Sequence, residues 1–474
     1  MRHLLKAATI ASLYFALFAF IPLINMAYTE HGEAQAVPGE FLVGFEEITE
    51  DAIALIEKGD FEVVRRMDQI RVLLVKGKDG VSLQAFIQTL ARQPLVRYVE
   101  PNYIVRLPPL KVTQIIEATK VDVELVPSDP WWSTDPIYGS GQWNMRVIDV
   151  DRAWDIDMGS HDVIVAVVDT GLRKTHHDLD ANYMSGGHDW VNGDDDPDDD
   201  HGHGTHVAGI IAAETNNGYG VAGLAQVSIV AEKVINSKGQ GTVASLALGI
   251  MHAADLGADV INMSLGTYRY SETLMEAVNY AHAKGCVLVA AAGNDGDDTP
   301  FYPAAFDSVI AVASTYGEPD DCRAPYSNYG SWVTISAPGG FDVYSVLSTY
   351  YLSDDYFAYM QGTSQATAHV SGLAALYRST YPAATNMEVG NALEEAVDDK
   401  GEPGWDELYG YGRINAYLAL TGPQIASVGG EAEIVSLDRS RIAAPWTGLA
   451  VLVSLGFITL LIVRRIKALT LLCR

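Results

Sequence analysis

QGTSQATAHVSGLAALY, residues 361–377, is the stretch on which the reading of this chain turns. Gly362, Thr363 and Ser364 precede a run in which Ala366, Val370, Leu373, Ala374 and Tyr377 form a helical stripe, so a serine stands at the start of a buried helix. N–H groups in a first helical turn lack intrahelical acceptors, and the macrodipole adds partial positive charge. An oxyanion forming beside Ser364 would therefore be stabilised as it develops. Alone, Gly-Thr-Ser reads as an N-cap, so groups elsewhere in the chain decide between cap and nucleophile.

Outward from this helix, near-continuous apolar runs at 163–168, 227–235, 258–265, 286–292, 308–313 and 332–337 predict strands buried on both faces. Between them lie helical patterns, the clearest carrying Val243, Leu246, Ala247, Ile250, Met251 and Ala254 on one side. This alternation predicts an α/β fold, a doubly wound and mostly parallel sheet over residues 129–420, with ligands bound beyond the carboxyl ends of its strands.

Three groups with useful chemistry fall at such ends. Asp169 closes the first run, ahead of Thr170-Gly171. The segment DDDHGHGTHVAGIIAA (198–213) crowds His201, His203 and His206 at the entry to a helix. A serine hydroxyl is a poor nucleophile at neutral pH, and a neutral imidazole, with a pKa near about 6.5, suits removal of its proton. His203 takes that part, and Asp169 the part of fixing its tautomer. In Ala290–Asn294 a strand ends in a Gly-Asn turn, and the Asn294 amide would donate to the oxyanion opposite the Ser364 N–H. Two other readings compete: a zinc-dependent hydrolase built on His201, His203 and His206, and a catalytically idle cell-surface binding module.

Asp169-Thr170-Gly171, His203-Gly204-Thr205-His206-Val207-Ala208-Gly209, Ala292-Gly293-Asn294 and Gly362-Thr363-Ser364, in that order, resemble the subtilisin-type serine endopeptidases, thermitase-like members among them. The resemblance implies catalytic Asp169, His203 and Ser364, with Asn294 in the oxyanion hole. It further implies a substrate-pairing strand at Ser264, Leu265 and Gly266, a specificity-pocket wall including Ala291, Ala292 and Gly293, and protein or peptide substrates. Structural calcium (Ca2+) is implied at Asp178, Asn216 and Asn217, with Asp129 as an N-terminal ligand. A second calcium site is expected from density alone, because Asp189, Asp194, Asp196 and Asp198 lie in a run of carboxylates packed too closely to stay unneutralised. Gln365 stands where the family usually has Met, which places an amide that does not oxidise beside the oxyanion site.

The rest of the chain frames this domain. With 474 residues, 48% of them hydrophobic, it is globular and too long for one ordinary unit. A balance of 31 basic against 60 acidic residues, net −29, excludes a nucleic-acid binder. Three cysteines make no disulfide framework. Arg2 and Lys6 precede an apolar-rich run from 7 to 27, and Ala34-Gln35-Ala36 offers small residues, so residues 1–36 read as a signal peptide for export. Residues 37–106 alternate in β-α-β-β-α-β order, a small α+β unit that resembles the family's ferredoxin-like inhibitory pro-peptide. Residues 107–128 read as an exposed connector, and 421–446 as a polar tether. The uncharged run 447–463, followed by Arg464, Arg465 and Lys467, predicts a transmembrane helix with a cytoplasmic tail at 464–474 and the catalytic domain outside.

Overall fold

Strands buried on both faces have to be covered on both sides, and the molecule is built that way. The computed structural model describes residues 36–78, 87, 90, 92–118, 129, 132, 141–317 and 321–422. The expected signal peptide up to residue 35, most of the second helical stretch of the expected β-α-β-β-α-β unit, the connector from 119 to 128, and the tether, apolar span and tail from 423 onward lie outside the described residues. No described helix is long and apolar enough to cross a membrane.

The amino-terminal part contains β1 (Ala36–Phe45), α1 (Glu50–Lys58), β2 (Phe61–Met67), β3 (Val72–Gly77) and β4 (Val96–Arg106), followed by β5 (Lys111–Glu117). The larger part contains α2 (Trp143–Arg146), α3 (Val150–Trp154), β6 (Ile164–Asp169), α4 (His203–Ala212), β7 (Ser228–Lys233), β8 (Gln240–Thr242), α5 (Val243–Asp255), β9 (Val260–Met263) and α6 (Glu272–Ala283). It continues through β10 (Val287–Ala291), β11 (Ile310–Tyr316), β12 (Cys322–Arg323), β13 (Ile335–Pro338), β14 (Val346–Thr349), β15 (Tyr356–Gln361), α7 (Thr363–Thr380), α8 (Asn386–Glu395), β16 (Val397–Asp398), β17 (Arg413–Ile414) and α9 (Ala416–Thr421).

The main sheet runs β16-β17-β13-β11-β10-β9-β6-β7, and all pairs from β17 to β7 are parallel. All six apolar runs quoted above became strands of this sheet. Val165 and Val167 face the core containing α4, α7 and α8, while Ala166 and Val168 face that of α5 and α6, which is why no polar alternation marks the strand. Chain order departs in opposite directions from β6 and β9. These neighbours are the switch point at which a doubly wound sheet opens a crevice. Asp169 ends β6, and Ser264 follows β9.

The amino-terminal unit is an antiparallel sheet in the order β2-β3-β1-β4, over its own core of Phe41, Val43, Phe45, Ile56, Leu73 and Val75. Its last strand also pairs with β8 of the larger part, Val105 opposite Gly241. A third sheet, β14-β15-β5, contains residues 111–117. The expected connector is therefore regular strand there, because β15 offers an edge whose backbone groups need partners.

Candidate active site

The α4 helix starts at His203 and comes close to β6 because Gly204 carries no side chain: a Cβ there would lie 2.2 Å from the Gly171 carbonyl oxygen. His203 Nδ1 donates to Asp169 Oδ1 at 2.7 Å, and the Thr170 N–H donates to the same oxygen at 2.7 Å. A carboxylate only accepts, so Nδ1 carries the proton and Nε2 is left as the bare acceptor, buried and without a partner. Asp199 holds this arrangement in place. Its Oδ1 accepts from Thr170 Oγ1 and the N–H groups of His201 and Gly202, and its Oδ2 from the N–H and Oγ1 of Thr205. Five donors to one buried carboxylate fasten the end of β6 to the first turn of α4.

The other two histidines are not a metal set with His203. His206 is buried under β14 and β15, where its Nε2 donates to the Ala358 carbonyl at 2.9 Å, and burial pushes its pKa down to about 3. The ring of His201 lies 6.4 Å from that of His203, with its Nδ1 unpartnered. Among the described residues no group of three His, Cys, Asp or Glu is placed to hold a metal ion, and the zinc reading falls on that ground. The helical spacing that crowds three histidines in sequence turns His206 toward the core.

Ser364 occupies the first turn of α7, as expected, but its Oγ donates to the Ser264 carbonyl at 3.1 Å and not to His203. Ser264 Oγ in return donates to the Ser364 carbonyl at 3.0 Å. Asn294 is aimed by Thr363, whose N–H and Oγ1 both donate to Asn294 Oδ1, at 2.9 and 2.8 Å. With its oxygen so held, Nδ2 points outward, where it donates to the carbonyl of Pro109 at 2.9 Å. The turn behind it is fixed by Asn328, which accepts from Asp295 N and donates to the Ala292 carbonyl. Gly293, at φ +105°, has no room for a Cβ, which would lie 2.4 Å from Asn328 Nδ2. Gln365 turns Nε2 toward His206 Nδ1 at 3.5 Å, and its Oε1 is buried without a partner. A side chain on Gly362 would come 2.9 Å from that oxygen and 3.0 Å from Asn294 Nδ2.

The segment leaving β4 runs through this site. Arg106 and Gly266 exchange N–H···O bonds at 2.9 Å, Leu107 N donates to the Gly239 carbonyl at 3.2 Å, and Pro109 O meets Asn294. Leu110 packs against the cluster of Tyr350, Ala358 and Met360. Ser264 and Gly266 therefore lie along a bound chain, Leu265 turns into the core, and Ala291, Ala292 and Gly293 are buried beside it. A second proline explains the serine rotamer. Two residues on from the Arg106–Gly266 pair the antiparallel register brings Pro108 opposite Ser264; Pro108 has no N–H to offer that carbonyl, and the Ser364 hydroxyl takes the acceptor.

Of the candidate calcium ligands, Asp129 and Asp178 are buried beside the turn carrying Asn216 and Asn217. Asp129 Oδ2 accepts from Asn216 N at 2.9 Å, but its Oδ1 is orphaned. Burial pushes Asp129 up to about 6 and Asp178 well above the carboxylate range, and each is further raised by a neighbouring carboxylate. A hard cation would relieve both strains, so this group fits calcium. The second, acidic cluster does not. Asp189 accepts from the N–H groups of Val191 and Asn192 and from Asn192 Nδ2, Asp194 from Asp196 N, and Asp196 pairs with Lys174 at 2.5 Å. Asp198 is exposed and stands apart, its pKa raised by partial desolvation and by Asp196. Protein donors already serve Asp189, Asp194 and Asp196.

Sequence reasoning did not single out Thr363 or Asn328, and it counted Asp199 only among the carboxylates of the acidic run offered to a second calcium.

Residues 160–412 match the model of the Subtilase family, and residues 22–102 that of the fervidolysin N-terminal prodomain. A thermophilic serine proteinase of Bacillus sp. strain AK1 is 40% identical over 395 residues, covering 82% of this chain and 89% of its own. Thermitase of Thermoactinomyces vulgaris is 44% identical over 287 residues, 60% of this chain and 98% of its own. The crystal structure of fervidolysin from Fervidobacterium pennivorans, a keratinolytic enzyme related to subtilisin, superposes with a TM-score of 0.71 at 29% identity. That likeness covers 84% of this chain but 63% of fervidolysin, so the chain spans less than two thirds of that relative.

Proposed function

Because this chain belongs to the subtilase family of serine endopeptidases, carried here behind a family prodomain, we propose that Ser364 is its nucleophile and that the first bond it cuts is its own, Pro109–Leu110. The observation that carries this reading is the Pro109 carbonyl, bonded to Asn294 Nδ2 at the amino end of α7, where a substrate carbonyl would be polarised.

The steps follow from the atoms in place. Ser364 Oγ rotates from the Ser264 carbonyl toward His203 Nε2, gives up its proton there and attacks the Pro109 carbonyl carbon. Asp169 holds the imidazole in the acceptor tautomer and stabilises the imidazolium. The oxyanion accepts from Asn294 Nδ2 and from the Ser364 N–H, which in the first turn of α7 has no helical acceptor. The imidazolium then protonates the leaving amine of Leu110, and water, deprotonated by His203, releases the acyl group. Protein substrates take the path of residues 106–110, pairing with Gly266 as Arg106 does.

The amino-terminal unit acts as an intramolecular inhibitor until it is released, since the strand that feeds the cleft is its own β4. Calcium would be held by Asp129, Asp178 and the Asn216-Asn217 turn, and would supply stability and no chemistry. The amino-terminal run directs export, and the apolar run 447–463 with its basic flank tethers the exported domain to the membrane.

A fluorophosphonate probe with mass-spectrometric site assignment tests the assignment of the nucleophile. Labelling of Ser364 that disappears in Asp169→Asn and His203→Ala supports it; labelling elsewhere, or unchanged labelling in those variants, overturns it.

A further inference from the structure

The bound segment does not end at the site. Leu110 passes directly into β5, which pairs antiparallel with β15 from Lys111 opposite Gln361 to Glu117 opposite Tyr356, and Ala118 N extends the ladder to the Asp355 carbonyl at 2.9 Å. The other edge of β15 is taken by β14, and its carboxyl end leads through Gly362 into the helix of Ser364. The rail thus starts at the nucleophile and runs away from it on the leaving-group side.

Almost all that holds β5 there is backbone. Five of its seven residues are exposed, including Val112 at 42% and Ile115 at 41%. Only Ile116, with Ala118 beyond it, reaches an apolar patch, formed with Tyr219, Phe357 and Tyr359. Besides its main-chain bonds and Ile116, β5 is held by the Thr113 hydroxyl, which donates to the Tyr359 carbonyl at 3.2 Å; a strand bound mainly through its backbone is a sequence-tolerant mode of recognition. Removal of β5 would leave β15 a bare edge, which accepts any extended chain.

We propose that the free edge of β15 is an extended binding track for the leaving half of protein substrates. Unstructured polypeptide is bound there as an added antiparallel strand over about eight residues after the scissile bond. An apolar side chain is favoured at the seventh of them, the position Ile116 holds when Leu110 is counted as the first. β5 is its placeholder in the precursor. The inference rests on the reading of Pro109–Leu110 as the bond presented to Ser364. It makes the enzyme selective for long, unfolded chains over short peptides.

The test uses the mature enzyme, its amino terminus determined, and internally quenched peptides that share one acyl half and carry leaving halves of two, four, six and nine residues. The expected result is a rise in kcat/KM of about tenfold from two to nine residues, chiefly through KM. Beyond the register irregularity at Tyr359 and Met360, N-methylating the amides of the fifth, seventh and ninth tail residues should abolish the gain and methylating the sixth and eighth should spare it, since the Ala118 N–H, ninth in the precursor, faces the rail and the facing alternates. Rates flat with length, equal losses from both methylated sets, or a mature enzyme that starts at Leu110 and keeps β5 in place each overturn the track. Failure of the underlying site reading looks different: the two-residue peptide itself would remain uncut, or would be cut equally by Ser364→Ala.

Discussion

Pro108 and Pro109 meet the site in different ways. Pro109 offers its carbonyl to Asn294, whereas Pro108, opposite Ser264 in the register set by Arg106 and Gly266, has no N–H and leaves the Ser264 carbonyl to the Ser364 hydroxyl, which is turned away from His203. Pro108→Ala should return that donor to the bound chain and free the hydroxyl, shortening the half-life of the intact precursor about fivefold, as one net hydrogen bond suggests. A half-life unchanged or longer on a time-course gel would contradict the explanation. Thr363 makes a second prediction at this scale. Removing one oxyanion donor costs roughly 10²–10³ in kcat, a range established on a subtilisin, and Thr363→Val removes no donor but one of the two bonds aiming it. We expect kcat to fall about tenfold with KM nearly unchanged; a KM effect alone would mean that Thr363 shapes binding and not the oxyanion hole.

Between residues and molecule, helix ends do most of the positioning. The amino end of α6 is capped twice, by Ser271 from within and by Glu100 of β4 from across the interface. Glu100 accepts from Ser271 Oγ, Glu272 N and Thr273 N at 2.7, 3.0 and 3.0 Å. Asn102 likewise accepts from Ala244 N in the first turn of α5, and Arg97 pairs with Glu276 on α6. Glu100→Ala leaves the α6 amides without their outside partner, and the isolated amino-terminal unit should then inhibit the mature enzyme about 10- to 100-fold less tightly. An unchanged inhibition constant would show that the contact only decorates the interface. The elements that sequence revealed and those it hid differ for a physical reason. β6, β7, β9, β10, β11 and β13 are covered on both faces, so burial wrote them as apolar runs. β5 (KVTQIIE) is held by main-chain bonds with most side chains in water, so neither apolar continuity nor strict alternation marks it. The same limit applies to Asp199, whose neighbours Asp198 and Asp200 make a cap look like part of a cation cage.

For the whole molecule, the pairing of Asp169 with His203 and the place of Ser364 in the first turn of α7 were readable because each motif ends a strand or starts a helix at one end of the sheet. The position of the precursor segment was not, since it depends on contacts between residues more than a hundred positions apart, such as Arg106 with Gly266. A cation held by Asp129 and Asp178 would link stability to pH at this scale. The buried Asp129 carboxyl, raised to about 6 from 3.8, favours its protonated form in the fold. Without a cation, stability from this group is present below about 3.8 and is lost as pH rises through about 6. Calcium needs the ionised form. The increase in Tm on adding calcium should therefore be small at pH 5 and grow through pH 6 to 8, while EDTA lowers Tm before it alters the chemistry. A Tm indifferent to calcium and EDTA at pH 8 would remove the cation from this site.

The most direct measurement of the central claim is the mass and amino-terminal sequence of what the full precursor becomes when incubated alone, compared with Ser364→Ala. The account predicts a new terminus at Leu110 in the first product of the wild-type chain and an intact variant. A first cut far from residue 110, or the same cut made by Ser364→Ala, would contradict it.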